Sequence, residues 1–187
     1  MIPRKNVRKV ARAEAKKIVE ALLNPVVKIV AKSEMPVCAS SGSAGFDIHA
    51  DLWEIKEDFL VNAEVVRNED NTIEGILLHP QGQCLVPTGI HTSFSSNYVV
   101  SIVPRSGLAL KKRITITNSP GTIDSDYKDE WGIILANEGS EDLLIHQGDR
   151  VAQFILSLVC HPRFEVVETV EQLSGPDRGG GYGHSKV

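Results

Sequence analysis

The hydrophobic positions of this chain follow two different periods, and the change between them falls near residue 25. Before it, apolar residues recur every three or four positions, which is the period of an amphipathic helix. These positions are Val7, Val10, Ala11, Ala15, Ile18 and Leu22. The pattern predicts a helix from Asn6 to Leu23, which Asn24 and Pro25 end.

After residue 25 the apolar residues alternate or form short β-branched runs between turns, which is typical of strands. The predicted strands are Val26–Val30, Phe46–Ala50, Phe59–Val66, Thr72–His79, Tyr98–Val103, Ile114–Thr117, Trp131–Ala136, Leu143–His146, Val151–Val159 and Phe164–Val170. Asn68–Asn71 predicts a hairpin turn between two of them. Because no helix is predicted between the strands, the fold class is all-β: a sandwich, a barrel or a jelly roll.

The end of the chain is rich in glycine from Gly175 to Ser185. Glycine is unfavourable in the interior of a helix or strand, so this stretch predicts a flexible C-terminal arm. The predicted organisation is a basic helix over residues 1–25, a β-domain over 26–174 and an arm over 175–187.

The net charge of −4 is unevenly distributed. Residues 1–25 hold seven Lys and Arg against two Glu, a net of +5, so the rest of the chain carries −9. The basic helix has three interpretations: an appendage, a surface for nucleic acid or a membrane, and an organellar transit peptide. The transit peptide is disfavoured because residues 1–25 contain two acidic residues, Glu14 and Glu20, and no Ser. A nucleic-acid or protein partner for the helix stays open.

Composition and cysteine usage indicate the compartment. The chain has no apolar run long enough to span a bilayer and no signal-peptide pattern. Cys38, Cys84 and Cys160 lie far apart and form no C-x-x-C pair, which argues against a disulfide framework or a zinc site. We expect a protein of the cytoplasm, or of the host cytosol if it is viral, without membrane contact.

The stretch with the most candidate chemistry is Asn118–Tyr127. Its Asn, Pro and Gly open a turn, and two acids and a tyrosine follow. If Ile123–Tyr127 is extended, Asp124 and Asp126 lie on one face. A carboxylate there could act as a general base beside a ring that packs on a ligand. The alternative is an ordinary hairpin turn with a half-buried tyrosine.

Four further stretches place polar side chains beside glycines or strand ends: Ala44–Asp47, Val103–Leu108, Gly148–Ile155 and Arg178–Ser185. A turn with an Arg and a Ser can present N–H groups, a hydroxyl and a guanidinium to phosphate oxygens. Each stretch alone has a structural alternative, such as a solvent turn, an ion pair between Asp149 and Arg150, or a disordered tail. The Walker, dinucleotide-binding, zinc-protease, zinc-deaminase and G-x-S-x-G motifs are absent from the sequence.

Taken together and in this order, the five stretches resemble the motifs of the trimeric dUTP pyrophosphatase (dUTPase) family, over residues 26–187. The resemblance implies a jelly-roll-like β-barrel that forms a homotrimer, with each active site built from several subunits. It implies Mg²⁺-assisted attack of water on the α-phosphorus of dUTP, which gives dUMP and pyrophosphate. That reaction keeps uracil out of DNA and supplies dUMP for dTMP synthesis.

By the same resemblance, Asp124 is the general base and Tyr127 packs beneath the deoxyribose. The residues implied to read uracil are Asn118, Gly121, Thr122 and Ile123. The residues implied to bind phosphates are Arg105, Ser106, Gly107 and Gln153. The arm residues implied to close over a neighbour's site are Arg178, Tyr182, Gly183, His184 and Ser185. No direct protein ligand to Mg²⁺ is expected, because phosphates hold the ion; Asp47 either contacts it through water or only orients Arg105.

The chain departs from the family pattern at Asp129, where glycine is usual, and at Tyr182, where phenylalanine is usual. The N-terminal helix and a longer segment around residues 60–80 are additional, and they bear on oligomer contacts rather than on chemistry.

Two other functions compete with that of a dUTPase. A dCTP deaminase of the same fold needs an Arg and a Glu where this chain has Leu110 and Ile134. A nucleotide sensor without catalysis is disfavoured by the presence of Asp124, Arg105 and Tyr182.

Overall fold

The computed structural model of the protein describes residues 4–176, and its side chains from residue 12 onward. Helix α1 spans Arg4–Leu23, close to the predicted bounds. Its described side chains are exposed to solvent, apart from the half-buried Leu22. The Tyr98 hydroxyl donates to the carbonyl oxygens of Leu22 (2.6 Å) and Ala21 (3.4 Å), which ties the C-terminal end of α1 to the β-domain.

Within the described residues, twelve strands follow α1. They are β1 (Lys28–Ala31), β2 (Val37–Cys38), β3 (Phe46–His49), β4 (Val61–Arg67), β5 (Ile73–Pro87), β6 (Ile90–Ser93), β7 (Tyr98–Val103), β8 (Ile114–Ile116), β9 (Gly121–Ile123), β10 (Gly132–Asn137), β11 (Leu143–His146) and β12 (Arg150–Leu158). A short helix, α2 (Ser106–Lys112), lies between β7 and β8.

The strands form two large antiparallel sheets and one small sheet. The first large sheet has the order β11-β5-β10-β8, with β4 paired to β5. The second has the order β2-β3-β12-β7-β9, and β1 pairs with β6. The all-β prediction with an N-terminal helix is confirmed.

A single hydrophobic cluster joins the large sheets. Trp131 is almost completely buried and its ring is perpendicular to that of Phe154, with the ring centroids 5.4 Å apart; Phe154 in turn stacks on Phe46, with a centroid distance of 5.0 Å. Burying an aromatic side chain of this size contributes about 2–3 kcal/mol. Since Phe46 precedes Asp47 and Phe154 follows Gln153 in the sequence, this packing also holds the two strands that carry these polar residues.

The prediction that no helix separates the strands is wrong at α2. Arg105 is still extended (φ −85°, ψ 129°), and the residues after Gly107 include the good helix formers Leu, Ala and Lys. The helix ends at Lys112, and the next residue, Arg113, adopts the left-handed conformation (φ 55°). Seven residues are too few to show a helical period in the sequence.

The predicted strand Phe164–Val170 is also wrong. Beyond β12 the chain has no regular element until a 3₁₀ turn at Val170–Gln172, and Phe164 and Val166 are 88% and 93% exposed. A strand needs a neighbour that satisfies its N–H and C=O groups. No strand of the described chain lies beside this segment, so its apolar residues do not form one.

The predicted hairpin at Asn68–Asn71 is confirmed by the antiparallel pairing of β4 with β5, in which Arg67 lies opposite Ile73. The Asn68 N–H donates to the Thr72 carbonyl at 2.9 Å. β5 does not end at His79 as predicted, but continues to Pro87. The division into helix, β-domain and arm stays a prediction.

Candidate active site

The central strand β12 brings separate stretches of the sequence into one row. Gln153 lies opposite Asp47 of β3 on one side and opposite Val103 of β7 on the other. Directly opposite residues share a face of an antiparallel sheet. Asp47 and Gln153 therefore lie side by side, where β7 leads into Pro104 and Arg105.

Asp47 binds two arginines, one through each carboxylate oxygen. Arg105 Nε donates to Oδ1 at 3.0 Å, and Arg150 Nη1 donates to Oδ2 at 3.1 Å. Arg105 Nη1 also donates to the carbonyl oxygen of Arg150 at 3.1 Å. The side chains of Asp47 and Arg105 are only 13% and 24% exposed, so these charge-assisted hydrogen bonds are partly shielded from water and fix the Arg105 guanidinium.

The Gln153 side chain is held by a backbone hydrogen bond and fits into the space beside a glycine. Its Nε2 donates to the carbonyl oxygen of Pro104 at 3.0 Å. A Cβ atom added at Gly45 would collide with the Gln153 carboxamide and lie 3.2 Å from its Cδ. Glycine at 45 therefore leaves the space that the Gln153 side chain occupies. Three of the five candidate stretches thus meet around Asp47.

Ser106 and Gly107 lie exposed in the first turn of α2, directly after Arg105. The first N–H groups of a helix have no acceptor within it and are free to bind a ligand. An added Cβ at Gly107 would meet no atom within 4 Å, so packing within the described chain does not require glycine here.

The stretch Asn118–Tyr127 forms an exposed loop around β9, at the edge of the second large sheet. Gly121 lies opposite Ile102 of β7. The chain turns directly after Ile123, with the Tyr127 N–H donating to the Asp124 carbonyl at 3.2 Å. The segment Ile123–Tyr127 is therefore not extended, so the condition under which alternation would place Asp124 and Asp126 on one face is not met.

The side chains of this loop are presented to solvent. Asp124 and Thr122 are exposed and Ile123 is half-buried. A Cβ atom added at Gly121 would lie 3.5 Å from Asn118 Nδ2, so the Asn118 amide folds over Gly121. The Tyr127 hydroxyl donates to the Glu130 carbonyl at 3.1 Å, while the residue remains 40% exposed.

The residues predicted for the site therefore fall into two groups within one chain. The first group is the Asp47 cluster, formed by Asp47, Arg105, Arg150 and Gln153, and the second is the stretch Asn118–Tyr127. Among the hydrogen bonds of the described residues, none joins the two groups. The remaining predicted residues, Arg178, Tyr182, Gly183, His184 and Ser185, lie outside the described residues.

Arg150 is a further residue of this site, and the sequence motifs gave it no role there. The structural interpretation of Gly148–Ile155 is an ion pair between Asp149 and Arg150, and that ion pair is not formed. Asp149 Oδ2 instead accepts a hydrogen bond from the His146 N–H at 2.8 Å. Arg150 pairs with Asp47, which lies 103 residues earlier in the chain. Only the pairing of β3 with β12 could have indicated this contact.

Glu130 has a supporting role that the sequence also did not indicate. Its Oε1 accepts hydrogen bonds from the backbone N–H groups of Thr88 (3.0 Å) and Gly89 (2.7 Å). Gly89 adopts a positive φ of 65°. The Glu130 carboxylate therefore ties the turn between β5 and β6 to the segment that follows Tyr127.

The described part of the chain shows neither a metal site of clustered side chains nor a reactive buried thiol. Among the described side chains, no three His, Cys, Asp or Glu converge in a way that could hold a metal ion. Burial raises the pKa of Cys84 to about 12, so this thiol stays protonated and unreactive at neutral pH. None of the described helices is long and apolar enough to cross a membrane.

Comparison with known proteins identifies relatives of this chain. The family model described as dUTPase matches residues 72–185. The chain is 37% identical to the deoxyuridine 5'-triphosphate nucleotidohydrolase of Caulobacter vibrioides over 154 residues, 82% of this chain and 86% of that protein. It is also 37% identical to the protein of the same name from Syntrophotalea carbinolica over 161 residues, 86% of this chain and 94% of that protein.

Solved structures resemble the fold. One is a tyrosine-to-phenylalanine mutant of the Staphylococcus bacteriophage 80alpha dUTPase with dUpNHpp, with a TM-score of 0.62 at 22% identity over 87% of this chain and 99% of that one. Another is an aspartate-to-asparagine mutant of the dUTPase from phage phi11 of S. aureus, described with a structural Mg(II) ion. Its TM-score is 0.59 at 20% identity, over 78% of this chain and 99% of that one. These likenesses confirm the predicted jelly-roll-like fold.

Proposed function

This chain belongs to the dUTPase family, and on that premise we propose that it is a dUTP diphosphatase, which hydrolyses dUTP to dUMP and pyrophosphate. The observation that carries the proposal is the cluster in which Asp47, Arg105 and Gln153 meet beside the first turn of α2. This cluster presents a fixed cation and several free donors, which suits the phosphate chain of a nucleotide.

Arg105 is the main phosphate-binding residue. A guanidinium has five N–H donors. Among the described residues, Asp47 and the Arg150 carbonyl each accept one of them, which leaves three for phosphate oxygens. The Ser106 hydroxyl and the N–H groups of Ser106 and Gly107 lie next in the chain and bind the same phosphates. Gln153 binds from the neighbouring strand.

Asp124 acts as the general base. A water molecule attacks the α-phosphorus and gives up a proton to the Asp124 carboxylate, while the bond from the α-phosphorus to the bridging oxygen breaks and pyrophosphate leaves. The exposed position of Asp124 directly after β9 leaves its carboxylate open to a bound nucleotide.

Asn118 and the backbone of Gly121, Thr122 and Ile123 select uracil. Uracil and cytosine present different donors and acceptors, so a site that pairs with uracil leaves unpaired groups against cytosine. The half-exposed ring of Tyr127 packs beneath the deoxyribose and leaves no space for a 2′-hydroxyl. In a cell, this selectivity would keep uracil out of DNA and supply dUMP for dTMP synthesis.

Mg²⁺ is the cofactor that we infer for this reaction, and the donor set of the chain suits an ion that arrives on the nucleotide. Mg²⁺ retains water and is commonly bound through substrate phosphates. Asp47 uses one lone pair of each oxygen for an arginine, and a carboxylate has about four acceptor sites, so it can still accept from a water of the hydrated ion. On the phosphates, the ion would neutralise charge that develops during the reaction.

The active site is completed between subunits of a homotrimer. This proposal rests on the two groups of predicted residues, the Asp47 cluster and Asn118–Tyr127, which share no hydrogen bond within the described chain although the nucleotide must contact both. Arg178, Tyr182, Gly183, His184 and Ser185 of the arm then close over a neighbouring site. We expect the enzyme to act in the cytoplasm, where Cys38, Cys84 and Cys160 stay reduced.

A nucleotide panel tests the proposed activity. The chain is incubated with Mg²⁺ and dUTP, UTP, dTTP or dCTP, and nucleotide products and pyrophosphate are measured. We expect dUMP and pyrophosphate from dUTP and little product from the others. Formation of dUMP or dUTP from dCTP would contradict the assignment, and so would equal turnover of all four.

Mixing two inactive variants tests the shared site. Arg105→Gln and Asp124→Asn are unfolded together, refolded and assayed. If each site takes Arg105 and Asp124 from different subunits, about one quarter of the sites in random trimers carry both natural residues, and activity returns. Mixtures that stay inactive although mixed trimers form would contradict the sharing.

A further inference from the structure

Asp47 lies between two arginines, and only Arg105 belongs to the phosphate-binding set proposed above. Arg150 binds the carboxylate oxygen that Arg105 does not use. The Arg150 side chain is 52% exposed and that of Asp47 13%, so the carboxylate is the more desolvated partner. A desolvated carboxylate needs its hydrogen bonds more than the exposed guanidinium does.

The second arginine changes what Asp47 does to the first. A carboxylate with a single arginine partner favours a bidentate arrangement that uses both oxygens. Such an arrangement would occupy more of the Arg105 donors and leave a neutral pair. With Arg150 on Oδ2, Asp47 takes only Nε of Arg105, and the three side chains together carry +1.

This local charge matters because the chain outside residues 1–25 carries −9. The long-range field of such a chain repels a nucleoside triphosphate, so attraction must come from a local excess of cations. Asp47 and Arg105 alone would provide no such excess.

We propose that Arg150 is a positioning residue that prevents Asp47 from pairing fully with Arg105 and thereby keeps the Arg105 guanidinium available to the phosphates of dUTP. This inference rests on the proposed function of the site. Since Arg150 acts through Asp47, the damage caused by its loss should be repaired when the Asp47 charge is removed as well.

The test is a double-mutant cycle of Arg150→Gln, Asp47→Asn and the two together, with KM and kcat for dUTP measured at one ionic strength. We expect Arg150→Gln to raise KM roughly tenfold with a smaller effect on kcat, and the double variant to recover most of that loss, since contacting charges couple strongly. The dissociation constant of inorganic triphosphate, measured by calorimetry, should follow the same order without requiring turnover.

Arg67→Gln is the matched control, because it removes the same charge from the β4–β5 hairpin, where Arg67 pairs with Glu57 at 3.6 Å. Its KM and its affinity for triphosphate should stay within about twofold of the natural protein, as for most exposed surface changes. An Arg67→Gln effect as large as that of Arg150→Gln would show a general charge effect and overturn the proposal.

Several outcomes would overturn the role of Arg150. They are an unchanged KM and triphosphate affinity in Arg150→Gln, and a double variant at least as weak as that single variant. If Arg150→Gln does not fold, Arg150→Lys carries the test: it keeps the charge, so a tenfold loss in both readouts would contradict the proposal. A natural protein that releases no pyrophosphate from dUTP would instead contradict the proposed function, while the triphosphate affinities would still decide the role of Arg150.

Discussion

Replacing Gly45 with alanine should impair catalysis while the fold stays stable. The added Cβ atom would collide with the Gln153 carboxamide and lie 3.2 Å from its Cδ and 3.6 Å from its Cβ. Gly45 does not have a positive φ, so alanine can adopt its backbone conformation. The collision involves the end of a flexible side chain, so we expect Gln153 to rotate away while the backbone stays in place.

The rotation breaks the hydrogen bond from Gln153 Nε2 to the Pro104 carbonyl, which is 3.0 Å long. Losing one neutral hydrogen bond costs about 1 kcal/mol. Alanine in place of glycine restricts the unfolded chain and restores roughly 0.4–1 kcal/mol, so the net change in unfolding free energy should be small. Gln153 would also leave the position in which we propose that it binds phosphate, which should lower kcat/KM for dUTP about tenfold, equivalent to about 1.4 kcal/mol of transition-state stabilisation.

The measurements are kcat/KM and the midpoint of urea unfolding, and Gly42→Ala is the matched control. A Cβ at Gly42 would meet no atom within 4 Å, so both quantities should remain unchanged there. In a Gln153→Ala background, Gly45→Ala should cause no further loss of activity. An undiminished kcat/KM in Gly45→Ala, or an equal loss in that background, would refute the reasoning.

Three further predictions concern other parts of the molecule. Asp124→Asn should lower kcat by about 10²–10⁴ while dUTP binding measured by calorimetry persists, because only proton transfer is lost; normal turnover would remove Asp124 from its role. Deletion of residues 1–24 should leave activity largely unchanged, since the described side chains of α1 are mostly exposed. If the natural protein elutes as the proposed trimer in size-exclusion chromatography and the shortened protein does not, the helix has a structural role. The hydrogen bond with Asp142 raises the pKa of His79. This pair should therefore stabilise the fold below about pH 6.5 and lose its effect as the pH rises through the raised pKa. If the melting temperature of His79→Gln shows the same pH dependence as that of the natural protein, the prediction fails.

The local sequence pattern predicts those strands whose own apolar residues are buried in the core. The bounds of β7, Tyr98–Val103, and of β11, Leu143–His146, agree with the predicted strands. Both show alternating or continuous burial of their apolar residues, which is the property that the pattern measures. Pattern alone fails for Phe164–Val170, where the residues favour a strand but no partner lies beside them in the described chain.

The contacts of the candidate site are less predictable, because they depend on strand pairing. The motifs predict Asp124, Arg105 and Gln153 as site residues, and the roles of these residues are proposals. The contact between Asp47 and Arg150 follows from the pairing of β3 with β12, which no local pattern specifies. Similarly, the turn after Ile123 results from an Asp124–Tyr127 backbone hydrogen bond that competes with the extended conformation.

The charge distribution suggests why the proposed phosphate-binding groups must be held in a fixed orientation. An acidic chain cannot concentrate a polyanion by its overall field, so affinity depends on a few donors at short range. Donors at short range are effective only if their orientation is fixed before the ligand binds. Here the fixing is done by Asp47 for Arg105 and by the Pro104 carbonyl for Gln153, both at the junction of β3, β12 and β7. If Arg105 and Gln153 bind phosphates as proposed, the acidic Asp47, which would weaken phosphate binding as a free charge, strengthens it as an orienting group, provided that Arg150 shares its negative charge.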